Sequence, residues 1–178
     1  AGLLEACAAA GVKRFVLSST AAVYGEPERT PIDEDHPTLP TNPYGSTKRA
    51  IEELLSQARL ATGLGYVSLR YFNAAGAMPD GSLGEDHTPE THLIPLAIDA
   101  ASGHREPLQV FGDDYPTPDG TCVRDYVHVL DLADAHVRAL DWLLAHEGGS
   151  LICNLGGGTG RSVREVLDTV GRIAARPV

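Results

Sequence analysis

Only three cysteines punctuate the 178 residues, and Cys7, Cys122 and Cys153 are odd in number, far apart and in no C-x-x-C pairing. That argues against a disulfide framework or a zinc site, and makes a reducing cytoplasm the expected compartment. Positive charge is scarce as well. Fourteen Lys and Arg stand against 24 Asp and Glu, a formal net charge of −10. Nucleic acid and anionic membranes select a positive surface, so neither is an expected partner. One anionic small ligand, held by a few placed Arg or Lys, stays compatible with this balance. No apolar run approaches the ~20 residues that a bilayer span needs, and Asp99 interrupts the most aliphatic stretch. The opening A-G-L-L-E-A-C-A-A-A-G has no basic region before its apolar residues, so it does not read as a signal peptide. An initiator methionine is missing too. Residues 1–10 are already patterned as a helix, and the final R-I-A-A-R-P-V breaks off as another helix ends. The chain therefore reads as an internal piece of a longer protein.

What is present is ordinary for one globular domain: 43% apolar and 21% charged residues. After Gly11, residues 12–18 form a short β-prone run that ends in hydroxyl side chains. A polar, Pro-rich loop occupies about 25–42. Asn42-Pro43 then reads as an N-cap followed by proline in the first turn. That helix extends to about Thr62, with Ile51, Leu54, Leu55 and Ala58 on its apolar face, and stops at Gly63. Strands are expected at 66–72, 108–111, 126–129 and 151–155. Helices are expected at 92–102, from an Asp131 cap to about His146, and after a Ser162/Glu165 capping box. Strands alternating with helices of this length predict an α/β fold built on a mainly parallel sheet.

Chemistry concentrates in two places. In Y-G-S-T-K, Tyr44 and Lys48 are four residues apart on a helix, which puts both on one face about 5–6 Å apart at Cβ. A positive charge one helical turn from a tyrosine favours the anion that a general base requires. Ser18-Ser19-Thr20 closes a strand some two dozen residues earlier, where an open parallel sheet presents its ligand crevice. A hydroxyl there can share a hydrogen bond with the tyrosine and a substrate hydroxyl. Other clusters carry less. His87 and His92 fit no common zinc spacing, Asp113, Asp114 and Asp119 do not form an EF-hand loop, and no metal is expected. Gly156-Gly157-Gly158-Thr159-Gly160 departs from G-x-G-x-x-G because Arg161 stands in the third glycine's place, and a tight strand-to-helix turn is expected there.

Taken in order, S-S-T-A-A-V-Y-G, N-P-Y-G-S-T-K and L-R-Y-F-N-A-A-G-A resemble the extended short-chain dehydrogenase/reductase family. The stretch from Phe111 to His136, F-G-D-D-Y-P-T-P-D-G-T-C-V-R-D-Y-V-H-V-L-D-L-A-D-A-H, is similar to the UDP-hexose 4-epimerases within it, and N-L-G-G-G-T-G-R-S-V fits as well. The resemblance spans essentially the whole chain and implies a piece from the middle of an enzyme about twice as long. The fold it implies is the C-terminal half of a Rossmann-like parallel sheet with part of a smaller α/β substrate-binding domain. Residues 1–75 would belong to the NAD-binding domain and 76–178 mainly to the UDP-sugar region, with 126–150 returning to the former.

The implied activity is NAD-dependent 4-epimerisation of a UDP-hexose. C4 is oxidised, the 4-keto sugar turns over, and the hydride returns to its other face. By the same resemblance Tyr44 is the catalytic base, Lys48 its helper and a ligand of the nicotinamide ribose, and Thr20 the third catalytic residue. Ser18, Tyr71 and Phe72 would line the nicotinamide. Asn73, Leu93, Phe111, Arg124 and Tyr126 would surround the UDP moiety, and His92 stands where some members use Asn. The cofactor's glycine-rich loop would precede Ala1, so this piece alone is expected to be inactive. The longer protein is expected to be a homodimer. Another UDP-sugar epimerase or decarboxylase of the family, or a non-catalytic remnant, is the alternative. A 4,6-dehydratase is disfavoured because Ala21 and Ala22, not Asp-Glu, follow Thr20.

Overall fold

Helices and strands alternate in a computed structural model that describes residues 2–178. In chain order they are α1 (Gly2–Ala9), β1 (Arg14–Thr20), a 3-10 turn (Ala21–Val23), α2 (Pro43–Thr62), β2 (Gly65–Tyr71), β3 (Asn73–Ala75) and α3 (Leu93–Ser102). There follow β4 (Val123–Arg124), β5 (Tyr126–His128), α4 (Val129–Ala145), β6 (Ser150–Leu155), β7 (Arg161–Ser162) and α5 (Val163–Ala174). Ala1, at the start of the first expected helix, lies outside the described residues.

The main sheet has the order β1-β2-β6, all parallel, with β1 at one edge. Its register runs from Arg14↔Gly65 to Thr20↔Tyr71 and from Tyr66↔Ser150 to Tyr71↔Leu155. Thr20, Tyr71 and Leu155 therefore sit together at its carboxyl end. Helices cover both faces, which explains why G-Y-V-S-L-R-Y reads as a nearly continuous buried run. Side chains alternate across a strand. Phe15 and Leu17 of β1 meet α2 through Ile51, Leu55 and Ala58. Val16 faces the other way and joins Val67, Leu69, Ala139 and Leu143 under α4. Leu55 and Leu143 are almost wholly buried, each contributing about 1.5–3 kcal/mol by leaving water. Leu54 does not join this face and is 42% exposed.

Local signals hold where expected. The Asn42 side chain accepts from the Gly45 amide at 2.8 Å, and Gly63 ends α2 in the left-handed conformation. Ser162 and Glu165 form the capping box of α5. Two expectations need correction. Residues 108–111 form no strand: among the described residues no strand pairs with them, and Phe111 is 86% exposed. The cap of α4 is His128, whose Nδ1 accepts from the Leu130 amide at 3.2 Å, while Asp131 sits in the first turn. Among the described residues, no helix is long and apolar enough to cross a membrane.

Smaller ladders attach the rest. β3 pairs with β5 in parallel, and β4 with β7 in antiparallel fashion. α3 packs against α5. Asp119 ties the loop before β4 to the start of α5, accepting from the Ser162 hydroxyl and from the Thr121 amide and hydroxyl, both at 2.8 Å. These bonds, the Ser162 hydroxyl first, hold its carboxyl below the usual range. A depressed folded-state value means that the ionised form adds stability above the ordinary carboxylate range of ~3.9. That stability disappears as pH falls through the lower folded value. Asp119→Asn should therefore lower the melting temperature at neutral pH and flatten its fall on the acid side. Melts of both proteins from pH 7 down to ~2 check this, and parallel acid limbs would count against it.

Candidate active site

The carboxyl end of β1 and the first turns of α2 meet because of one glycine. A Cβ on Gly45 would come 2.4 Å from the Ala22 carbonyl oxygen and 3.0 Å from Pro40 Cβ. Only glycine lets the helix start so close to the turn that follows Thr20. Tyr44, next to it, is 55% exposed. The Lys48 ammonium lies 5.7 Å from the Tyr44 ring centroid and donates to the Ser18 carbonyl at 2.7 Å. Thr20 is buried, and its hydroxyl oxygen accepts from the Ala22 amide at 3.1 Å. With one lone pair held by that amide, the hydroxyl proton is free to be donated elsewhere. Ser18, Thr20, Tyr44, Lys48 and Tyr71 thus gather along the carboxyl-end edge of the sheet.

Behind this edge lies a buried polar network that sequence reasoning did not find. On the α2 face, Arg70 of β2 donates Nε to Glu52 Oε1 at 3.0 Å and Nη2 to Oε2 at 2.7 Å. Its Nη1 donates to the Tyr24 hydroxyl at 2.9 Å, and that hydroxyl donates to Asn154 Oδ1 at 2.7 Å. Ser19 donates to Glu52 at 2.5 Å. Burial pulls the Arg70 guanidinium down, but the bonds to Glu52 and Tyr24 more than offset it and leave its pKa above the ordinary value. A fork donating twice to one carboxylate is the strong form of such a pair. The signal available beforehand was an arginine inside an apolar strand, which requires a buried partner. The long loop is pinned to the same place: the Asn154 amide N–H donates to Glu34 at 2.7 Å, and the Asn154 side chain donates to the Ile32 carbonyl at 3.0 Å.

The residues expected around a nucleotide are more spread out. Phe72 and Asn73 line a cleft of about 610 Å³ together with Gly76, Glu85, His92 and Leu130. Asn73 donates both its backbone and its side-chain N–H to the Asp125 carbonyl, at 3.0 and 2.8 Å. Tyr126 lines a neighbouring cleft of about 310 Å³ with Asp131, Asn154 and Gly156. Burial pushes its phenol up, and the charge of Arg124 partly counters this. Arg124 itself is exposed and donates to the Val123 carbonyl at 2.9 Å. Leu93 is half-buried at the start of α3. Among the described residues, no hydrogen bond ties Phe111 or Arg124 to the Tyr44–Lys48 group.

The glycine run, expected as a strand-to-helix turn, instead joins β6 to the two-residue strand β7 ahead of α5, and it is clamped by Asp125, whose carboxylate accepts from the Gly157 and Gly158 amides at 2.6 and 3.1 Å. A Cβ on Gly156 would come 2.7 Å from that carboxylate, and Gly158 has φ +74°. Glu85, His87, Glu90 and His92 do come together in space, with ligand atoms within 4.8 Å of one another. Hydrogen bonds account for the grouping: His92 Nδ1 lies 2.6 Å from Glu85 and 2.9 Å from Glu90, and Glu90 also accepts the Thr91 and His92 amides. Cys7, Cys122 and Cys153 are all unpaired, and burial pushes the Cys153 thiol up.

Known proteins share this fold. The chain is similar to the UDP-glucose 4-epimerase of Rhizobium meliloti (strain 1021), 60% identical over 176 residues that are 98% of this chain and 53% of the relative. The crystal structure of UDP-glucose 4-epimerase from Brucella ovis in complex with NAD superposes with a TM-score of 0.91 at 54% identity, covering 96% of this chain and 52% of that one. The enzyme from Bifidobacterium longum in complex with NAD+ and UDP gives 0.92 at 43% identity, over 99% and 53%. The chain spans about half the length of the curated relatives it matches. Residues 1–156 match the model of the NAD dependent epimerase/dehydratase family. An α/β fold with a parallel sheet, the gathered Thr20, Tyr44 and Lys48, and this match over most of the sequence place the chain in the NAD dependent epimerase/dehydratase family.

Proposed function

We propose that this chain carries the catalytic centre of an NAD-dependent UDP-hexose 4-epimerase that interconverts UDP-glucose and UDP-galactose. The observation that carries the reading is Thr20, Tyr44 and Lys48 gathered at the carboxyl end of a parallel sheet, in a chain 60% identical to a UDP-glucose 4-epimerase. The residues present fit the nicotinamide end of the cofactor. Lys48 spends one of its three N–H donors on Ser18 and keeps two for a ribose. Ser18, Tyr71 and Phe72 supply neighbouring surface. NAD, when bound, supplies the hydride acceptor for the sugar C4 and returns the hydride, so the net change is isomerisation.

Tyr44 accepts the proton of the sugar 4-hydroxyl and gives it back. Lys48 opposes the negative charge that forms on Tyr44 in between. Thr20, one of whose two lone pairs the Ala22 amide occupies, donates its hydroxyl proton toward the same oxygens. Asn73, Leu93, Phe111, Arg124 and Tyr126 hold the UDP handle, apolar side chains against the base and donors toward the phosphates. Residues 1–75 are then part of the NAD-binding domain and 76–178 mainly the UDP-sugar region, with 126–150 returning; the packing of α4 on β1 and β2 supports that return, and β6 in the same sheet carries it on to Leu155. The longer protein is proposed to be a cytoplasmic homodimer, as the resemblance of the sequence motifs implies.

The test is the full-length protein supplied with UDP-galactose. Formation of UDP-glucose without net change in NAD is expected, and an NAD-replete protein that leaves UDP-galactose unchanged would overturn the reading. Arg124→Ala in that protein should weaken UDP-sugar binding by ~1.5–3 kcal/mol, the size of a charge-assisted hydrogen bond, with NAD content unaltered. Unchanged UDP affinity in calorimetry would make Arg124 structural.

A further inference from the structure

His136 of α4 and Ser18 of β1 are 118 residues apart and joined by a 2.9 Å contact between Nε2 and Oγ. The other ring nitrogen, Nδ1, lies 2.7 Å from the Leu132 carbonyl oxygen. A carbonyl only accepts, so Nδ1 carries the proton of the neutral ring and Nε2 presents a lone pair. The Ser18 hydroxyl must then be the donor in the 2.9 Å contact. Two further contacts fix the pair. The Tyr71 ring lies against the imidazole, with centroids 6.5 Å apart, and Lys48 holds the Ser18 carbonyl. With its proton committed to the sheet–helix interface, Ser18 has only oxygen lone pairs left to offer.

We propose that His136 is a positioning residue that makes Ser18 a hydrogen-bond acceptor only, selecting a ligand group with an N–H donor, namely the carboxamide of the nicotinamide ring. The proposal rests on the NAD reading above. Without His136 the serine hydroxyl rotates freely and can point its proton at the carboxamide nitrogen, where nothing accepts it. Ser18 and His136 therefore act as one unit, and removing either removes the same selectivity.

The experiment measures cofactor affinity in the full-length protein with two probes. One is NAD, and the other is its 3-acetylpyridine analogue, in which a methyl ketone replaces the carboxamide and no N–H remains. Ser18→Ala and His136→Leu should each weaken NAD binding by about 2- to 12-fold, the range for one neutral hydrogen bond. The double variant should be no weaker than either single one, because the two residues share one interaction. His136→Gln places an amide oxygen where Nε2 was and should restore NAD affinity to within about 2-fold of the parent, a range well below one hydrogen bond. The analogue should bind the parent and both single variants equally. Losses that multiply in the double variant, equal losses for NAD and the analogue, or unchanged NAD affinity in His136→Leu would each overturn the proposal. If His136→Leu does not fold, Ser18→Ala and His136→Gln read with both probes still decide it. A parent protein that binds no NAD would instead overturn the cofactor reading, and this proposal with it.

Discussion

Replacing Tyr44 with Phe in the full-length protein should lower kcat for UDP-hexose epimerisation by at least ~10²-fold, the lower end for general acid–base catalysis. The exchange removes one oxygen and keeps the ring, so the cation–ring contact with Lys48 at 5.7 Å persists and α2 keeps its start. What disappears is the phenol oxygen that, in the proposed mechanism, accepts and returns the substrate proton. A 10²-fold loss corresponds to about 2.7 kcal/mol of transition-state stabilisation. Since Tyr44 lies on α2 and the residues proposed to hold UDP lie on other segments, UDP affinity should stay the same. Steady-state kinetics with UDP-galactose, paired with UDP calorimetry, separates the two effects. A near-normal kcat would remove Tyr44 from the mechanism.

A second large effect is expected in stability. Glu52→Leu in the full-length protein should cost about 3–5 kcal/mol, because it strands the Arg70 guanidinium in a site where its side chain is only 6% exposed. Arg70 loses two charge-assisted bonds and Ser19 loses its acceptor. The loss reaches the candidate site, since Ser19 sits between Ser18 and Thr20 on the strand that carries both. Replacing both charges, as Glu52→Leu with Arg70→Met, should recover much of the stability, because an apolar pair of similar volume avoids the desolvation penalty. Urea unfolding measures both. If the single variant is within about 1 kcal/mol of the parent, a third or less of the expected loss, the ion pair is dispensable.

The candidate site was half legible beforehand, and the division follows sequence distance. Tyr44 and Lys48 are one helical turn apart, so backbone geometry alone sets them on one face. Nothing local couples Glu52 to Arg70, or Tyr24 to Asn154 across 130 residues. Those pairs exist because β1, β2 and β6 lie side by side in one register, and a shift of one residue would turn Arg70 from α2 toward α4. His128 took the cap expected of Asp131 because β5 pairs with β3 up to Ala75↔His128 and so fixes where α4 begins. Residues 108–111 had strand-like composition but no pairing strand among the described residues, and β propensity without pairing does not make a strand.

The amino-acid sequence by itself determined what depends on neighbours within about four residues: the Asn42-Pro43 start of α2, its stop at Gly63, the Ser162/Glu165 box and the pairing of Tyr44 with Lys48. It also determined the α/β class, because helical and strand periodicities alternate along it. Only the tertiary structure decided which buried charges meet, which serine hydroxyl turns inward toward His136, and that Asp125 clamps the glycine turn. The reason is that side-chain partners across a sheet are chosen by strand order and register, and these emerge from burying the whole apolar set at once.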